Sequence, residues 1–169
     1  MIQVSKYCLV LLSVLCGTSA QATNWYTFSE AIATNALYFF DLDTVIKQGR
    51  SVTIWSKYVN DRQKPDSDGS YATAQKITFT CDKRTTQVFT TVIYDINGKF
   101  IKTFPNPTAV QDVKPGSVIE EMVKAVCAPD FPKNTSGELY FQVTGGDIFT
   151  HAANYFDAKR AQTTDPAPN

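Results

Sequence analysis

The chain has 169 residues, of which 43% are hydrophobic and 19% charged, with 16 basic side chains, 16 acidic ones and a single histidine. That balance excludes a disordered, collagen-like or coiled-coil chain, and the length suits one domain with a core of its own. Zero net charge removes any general electrostatic attraction to phosphate backbones, so nucleic acid is not an expected partner.

The first segment carries Lys6, an apolar run over residues 7–16, and then Gly17-Thr18-Ser19-Ala20-Gln21-Ala22. A basic head, an apolar middle and small residues at the third and first positions before a cut predict a secretory signal peptide over residues 1–22. The run is too short for a spanning helix, which needs about 20 apolar residues. Cys16 raises the alternative of a lipoprotein, but it follows Leu15, where the lipoprotein peptidase requires a small side chain. Cleavage after Ala22 removes Cys8 and Cys16 and leaves Cys81 and Cys127. One pairing is then possible, and an oxidising compartment favours it, with two free thiols as the alternative. A Cys81–Cys127 bridge would close a loop of roughly 46 residues and stabilise by about 4 kcal/mol on the chain-entropy model.

From residue 25 onward, period-two alternation with β-branched and aromatic residues predicts strands at 25–28, 37–41, 52–59, 71–81, 87–94 and 99–104. In the fourth, Tyr71, Thr73, Gln75, Ile77, Phe79 and Cys81 share a face, so burial is expected in its last half. The polar stretch 60–70 reads as the loop of a long hairpin. Asn97-Gly98 predicts a type I′ turn, since both residues tolerate positive φ.

After Pro115 the period becomes helical. Ser117 and Glu120 have capping-box spacing, and Val118, Ile119, Met122, Val123 and Val126 make an apolar stripe ending at Cys127. Pro129, Pro132, Asn134 and Ser136 mark a linker, followed by a strand over 138–144 and a turn at Gly145-Gly146. Asp147 caps a second helix with Ile148, Phe149, Ala152, Tyr155 and Phe156 on one side. The tail over 161–169 reads as mobile. The expected fold is α+β: an antiparallel sheet of about five to six strands, a disulfide-pinned helix and a C-terminal helix.

Catalytic and metal-binding patterns are weak. Asp41-Leu42-Asp43-Thr44-Val45 has the look of a haloacid-dehalogenase nucleophile motif, but that chemistry needs a doubly wound parallel sheet. The expected reading is a strand ending in a turn, with Asp41 and Asp43 solvated. Asp66-Ser67-Asp68-Gly69 resembles part of a calcium loop, yet Lys64 and Gln75 occupy its end positions, so a solvated hairpin tip is expected. Glu120 and Glu121 point about 100° apart on a helix and cannot share a substrate. His151 lacks a nucleophile or soft ligands nearby in sequence and reads as structural or surface. Asn134-Thr135-Ser136 fits a glycosylation triplet, which matters only in a eukaryotic secretory pathway. No glycine-rich phosphate loop or Gly-x-Ser-x-Gly occurs, and no catalytic residue, metal or cofactor is assigned.

Several of these features follow one another in a familiar order. Trp25, then 38–45 (Tyr-Phe-Phe-Asp-Leu-Asp-Thr-Val) with Gly49, Val52-Thr53-Ile54-Trp55, Tyr71 leading to Cys81-Asp82, and Val113-Lys114-Pro115-Gly116-Ser117 with the helix to Cys127 resemble the surface-adhesin protein E-like family of Gram-negative bacteria. Thr44 and Val45 stand where Ser and Ile are usual there. The resemblance covers about residues 25–127, giving a domain at 23–127 and an extension at 128–160. It implies a small antiparallel sheet with a helix pinned by Cys81 and Cys127, exported to the periplasm or outer surface. It also implies that the protein is not an enzyme and that its partner is another protein, such as one of the host matrix or plasma; the alternatives are a periplasmic structural component of an envelope assembly and a small hydrolase.

Overall fold

The computed structural model describes residues 24–31, 35–105, 107–131, 141–144 and 147–164. Alternation of apolar residues produces β1 (Asn24–Ala31), β2 (Ala36–Gln48), β3 (Ser51–Asn60), β4 (Ala72–Thr80), β5 (Thr85–Tyr94) and β6 (Phe100–Phe104). All six expected strands are present. The strand expected over 138–144 is also present, as β8 (Phe141–Thr144), β7 (Gln111–Asp112) joins them unexpected, and the helices are α1 (Val118–Val126) and α2 (Ile148–Thr164). The sheet is an antiparallel meander in the order β6-β5-β4-β3-β2-β1-β8, with β7 beside β5.

Period-two alternation gives this sheet two apolar faces, and each is covered by one helix. On one face Tyr26, Phe28, Phe40, Val52, Ile54, Ile77 and Phe79 pack against Met122, Val123 and Val126 of α1 and against Phe131. Phe28 and Phe40 stack there with ring centroids 4.0 Å apart. On the opposite face Leu37, Phe39, Val59, Tyr71, Ala72 and Val143 pack against Ile148, Ala152 and Phe156 of α2. Each fully buried aromatic contributes about 1.5–3 kcal/mol.

Four local expectations are revised. The chain does not turn after Asp41; β2 continues to Gln48, with the register shift of a bulge between Asp41 and Ile46. Burial in β4 is not confined to its end, because α2 also covers Ala72, and Thr73 and Ala74 are buried with it. Tyr71 precedes that strand, so it escapes the alternation and stacks on Phe149 across 5.9 Å. The Asn97-Gly98 turn is not type I′: only Gly98 has positive φ, at 73°. The Gly98 N–H donates to the Asp95 carbonyl at 3.0 Å, and the Asp95 carboxylate accepts from the amides of Asn97 and Lys99 at 2.9 and 2.8 Å. That is a type I turn followed by a left-handed glycine.

Ser117 caps α1 as its spacing predicts, accepting from the Glu120 amide at 3.2 Å. The return bond differs from the expected box: the Glu120 carboxylate accepts from the Gly116 amide at 2.8 Å, which holds its pKa below the usual range. Asp147 caps α2, accepting from the Phe149 amide at 2.9 Å. Farther along α2 the Tyr155 hydroxyl donates to Glu30 at 2.7 Å, Lys159 pairs with the same carboxylate, and Arg160 pairs with Asp61 at 2.5 Å. Burial, with the Glu30 carboxylate beside it, pushes the Tyr155 phenol up to about 12. These contacts extend the helix to Thr164, past the boundary expected at 160. The leader at 1–22, the glycosylation triplet, residues 138–140, the Gly145-Gly146 turn and residues 165–169 lie outside the described residues.

Candidate functional site

Cys81, just after β4, and Cys127, the C-cap of α1, form a disulfide with Cα atoms 5.6 Å apart. The bridge fastens the helix end to the strand end, the arrangement expected over two free thiols. Beside it lies a hollow of about 470 Å³ lined by Lys47, Arg50, Asp82 and both cysteines. Its cations are already engaged: Lys47 donates to the Phe131 carbonyl at 2.6 Å, and Arg50 pairs with Asp82 at 2.9 Å.

The polar residues singled out in the sequence are dispersed. Asp43 is exposed and accepts from the Asn24 amide, while Glu120 pairs with Arg84 at 2.7 Å and Glu121 with Lys124 at 2.7 Å. Asp66 and Asp68 accept from the hydroxyl and the amide of Ser70. His151 packs edge-on against Phe39, and burial lowers its pKa. Asp41 departs from expectation. It is only 8% exposed, because the strand continues past it, and burial raises its carboxyl above the ordinary range despite the Asp43 amide that it accepts at 3.2 Å.

Asp41 lines a cleft of about 260 Å³ on the α2 side of the sheet, together with Trp25, Trp55, Lys57, Val92 and Tyr94. Strand register assembles it. Trp25 pairs with Asp41 and Asp41 with Trp55, while in the adjacent row Lys57 pairs with Ala74 and Ala74 with Val92. The Lys57 ammonium lies 5.0 Å from the Trp25 ring, 4.4 Å from Tyr94 and 5.2 Å from Phe149. Ring faces favour a cation, but burial outweighs that together with the pull of Asp147 and Asp41 and pushes the amine down to about 8. Among the described residues no acceptor bonds this ammonium. Asp41 shares the cleft with the polar groups of Lys57 and Thr44, whereas Asp43 and His151 do not line it.

At the far edge of the sheet, every residue of β6 is exposed. Phe100, Ile101 and Phe104 are 57%, 48% and 46% exposed, and Phe89 and Val110 add exposed apolar surface. In the strand order β6 has only β5 beside it, so its outer backbone edge is unpaired among the described residues.

The family model for surface-adhesin protein E matches residues 25–128. The chain belongs to the surface-adhesin protein E family. A solved structure, the crystal structure of protein E from non-typeable Haemophilus influenzae, is similar over 62% of this chain and 76% of that one, with 12% identity and a TM-score of 0.41. No curated protein is significantly similar to the chain.

The part of the chain that matches the family holds β1 to β7, α1 and the disulfide, whereas β8 and α2 lie beyond it. It also holds Trp25, Asp41, Trp55, Lys57 and Tyr94; the ring of Phe149 comes from the extension. No helix among the described residues is long and apolar enough to cross a membrane. Sequence reasoning did not single out Lys57 or β6. The signal for Lys57 was an alternation placing it on the face of Trp55, and the signal for β6 was the apolar pair Phe100-Ile101 after a turn.

Proposed function

We propose that this protein is an exported, non-catalytic component of the cell envelope that works by contact, offering the β6 edge to an extended segment of another protein. The observation that carries this reading is the exposure of Phe100, Ile101 and Phe104 on an unpaired edge strand. Sheets ordinarily protect such edges, and one left apolar is a template for strand addition, with main-chain bonds supplying affinity and the side chains selectivity. Lys99 and Lys102 flank the apolar residues, which discourages pairing between copies and favours a partner with acidic side chains. Family membership supports placement at the surface, with a protein of the host matrix or plasma as the partner class. In this reading residues 23–127 make the contact domain and 128–160 brace its other face.

A photo-reactive residue at position 101 in the native cell tests this reading, combined with protease treatment of intact cells. A host-facing adhesin should be cleaved from outside and should crosslink one partner, and Phe100→Glu with Phe104→Glu should abolish the crosslink. A crosslink with full protection from protease would instead indicate a periplasmic structural component of an envelope assembly. Absence of any β6 crosslink in either compartment would overturn the contact reading.

A further inference from the structure

The cleft at Lys57 holds two opposite charges that feel each other without direct contact. Asp41 is 8% exposed and its carboxylate accepts only the Asp43 amide among the described residues, and among those residues the Lys57 ammonium, in the field of Asp147 and Asp41, sits among three rings with no acceptor bonded to it. Asp41 and Lys57 attract each other across one shared cavity without forming an ion pair. Charges withdrawn from water in this way are costly unless something partners them. A simple anion would answer Lys57 and be repelled by Asp41, and a simple cation would do the reverse. A zwitterion answers both. The remaining walls are the indoles of Trp25 and Trp55 with Tyr94 and Val92, which suit a flat apolar body. A volume of about 260 Å³ falls below that of drug-sized sites and limits the occupant to a single ring system.

We infer that this cleft binds a small aromatic zwitterion of the amino-acid type, its carboxylate on Lys57, its amine on Asp41 and its ring against the tryptophans. The inference is independent of the β6 reading, because the cleft is on the α2 side of the sheet and shares none of the β6 side chains.

Both tryptophans of the chain line this cleft, so intrinsic tryptophan emission reports on nothing else. Three probes separate the contacts: L-phenylalanine, 3-phenylpropionate without the amine, and L-phenylalaninamide without the carboxylate. Phenylalanine should change the emission saturably and bind roughly 10-fold or more tightly than either truncated probe. Lys57→Gln should erase its advantage over the amide, and Asp41→Asn its advantage over phenylpropionate. Equal binding of the three probes, tighter binding of phenylpropionate, or no saturable change up to about 10 mM would overturn the proposal. Because Asp41 also accepts the Asp43 amide, its variant could perturb the bulge. The unmodified protein supplies the second measurement: both indole N–H resonances must shift together on phenylalanine addition, and a titration that leaves either unmoved overturns the site.

Discussion

Thr44 shows how much one hydroxyl does. Where β2 bulges, the ladder to β3 is interrupted, and the Thr44 hydroxyl fills the gap by donating to the Asp41 carbonyl at 2.8 Å and accepting the Trp55 amide at 3.0 Å. Thr44→Val keeps the shape and strands both partners, so urea unfolding should show a loss of about 1–3 kcal/mol. Thr44→Ser keeps both bonds and should cost less than about 1 kcal/mol. A serine variant as unstable as the valine would show that methyl packing, not the hydroxyl, holds the bulge.

Lys57 makes a prediction of opposite sign to the usual core residue. Its amine is pushed from 10.5 to about 8, so folding disfavours the charged form, which still predominates at pH 7. Between those values the unfolded chain binds a proton that the folded chain does not, and stability falls as the pH drops from 10.5 towards 8. The groups that share its face or its field are Asp41 on β2, Lys76 on β4, Tyr94 on β5 and Asp147 at the cap of α2. Lys57→Met removes the buried ammonium and should stabilise by about 1–3 kcal/mol at pH 7. Its advantage over the unmodified protein should shrink through that alkaline window. An advantage constant with pH would mean that packing, and not charge, separates the two. This site was not legible in the sequence for a physical reason. A lysine alternating with apolar residues looks solvent-facing, and Asp41 beside a polar Leu-Asp-Thr run looks like a strand end. Only the registers of β1, β2 and β3 bring Trp25, Asp41 and Trp55 into one row.

At the level of elements, the sequence was readable wherever alternation or capping was strong. β3 follows its pattern almost residue for residue, β4 does so in its last half, and α1 begins at the Ser117 cap and ends at Cys127. Legibility failed where side chains replaced backbone pairing. The Thr44 hydroxyl carried β2 past its expected end, and the Asp95 carboxylate selected a different hairpin turn. β7 has only two residues, too few to show a period, and α2 outruns its apolar stripe because the Glu30 and Asp61 ion pairs hold its second half. The disulfide joins two of the legible elements across 46 residues. Cys81→Ser and Cys127→Ser release the same loop, so each should cost about 2–4 kcal/mol, and the melting temperatures of the two variants should coincide. A gap between them larger than about 1 kcal/mol would locate the effect in local packing rather than in loop release.

For the whole molecule, one sheet separates two cores, and consecutive residues of β2 belong to different ones. Phe39 and Phe40 are both fully buried, yet Phe39 packs with Ile148, Ala152 and Phe156 of α2 while Phe40 packs with Met122, Val123 and Val126 of α1. The two rings share a backbone and no packing partner. If the sheet acts as a rigid partition, the two layers should respond independently even to changes at adjacent positions. Phe39→Leu and Phe40→Leu are mild replacements, each expected to cost about 1–2 kcal/mol, which leaves the double variant folded enough to measure. The coupling energy from a double-mutant cycle in urea should be below about 0.5 kcal/mol. A coupling above about 1 kcal/mol would mean that β2 shifts as a unit and transmits strain between the helices. In that case a contact made at one face would be felt at the other, and the Lys57 cleft could not be treated as independent of the disulfide-bridged side.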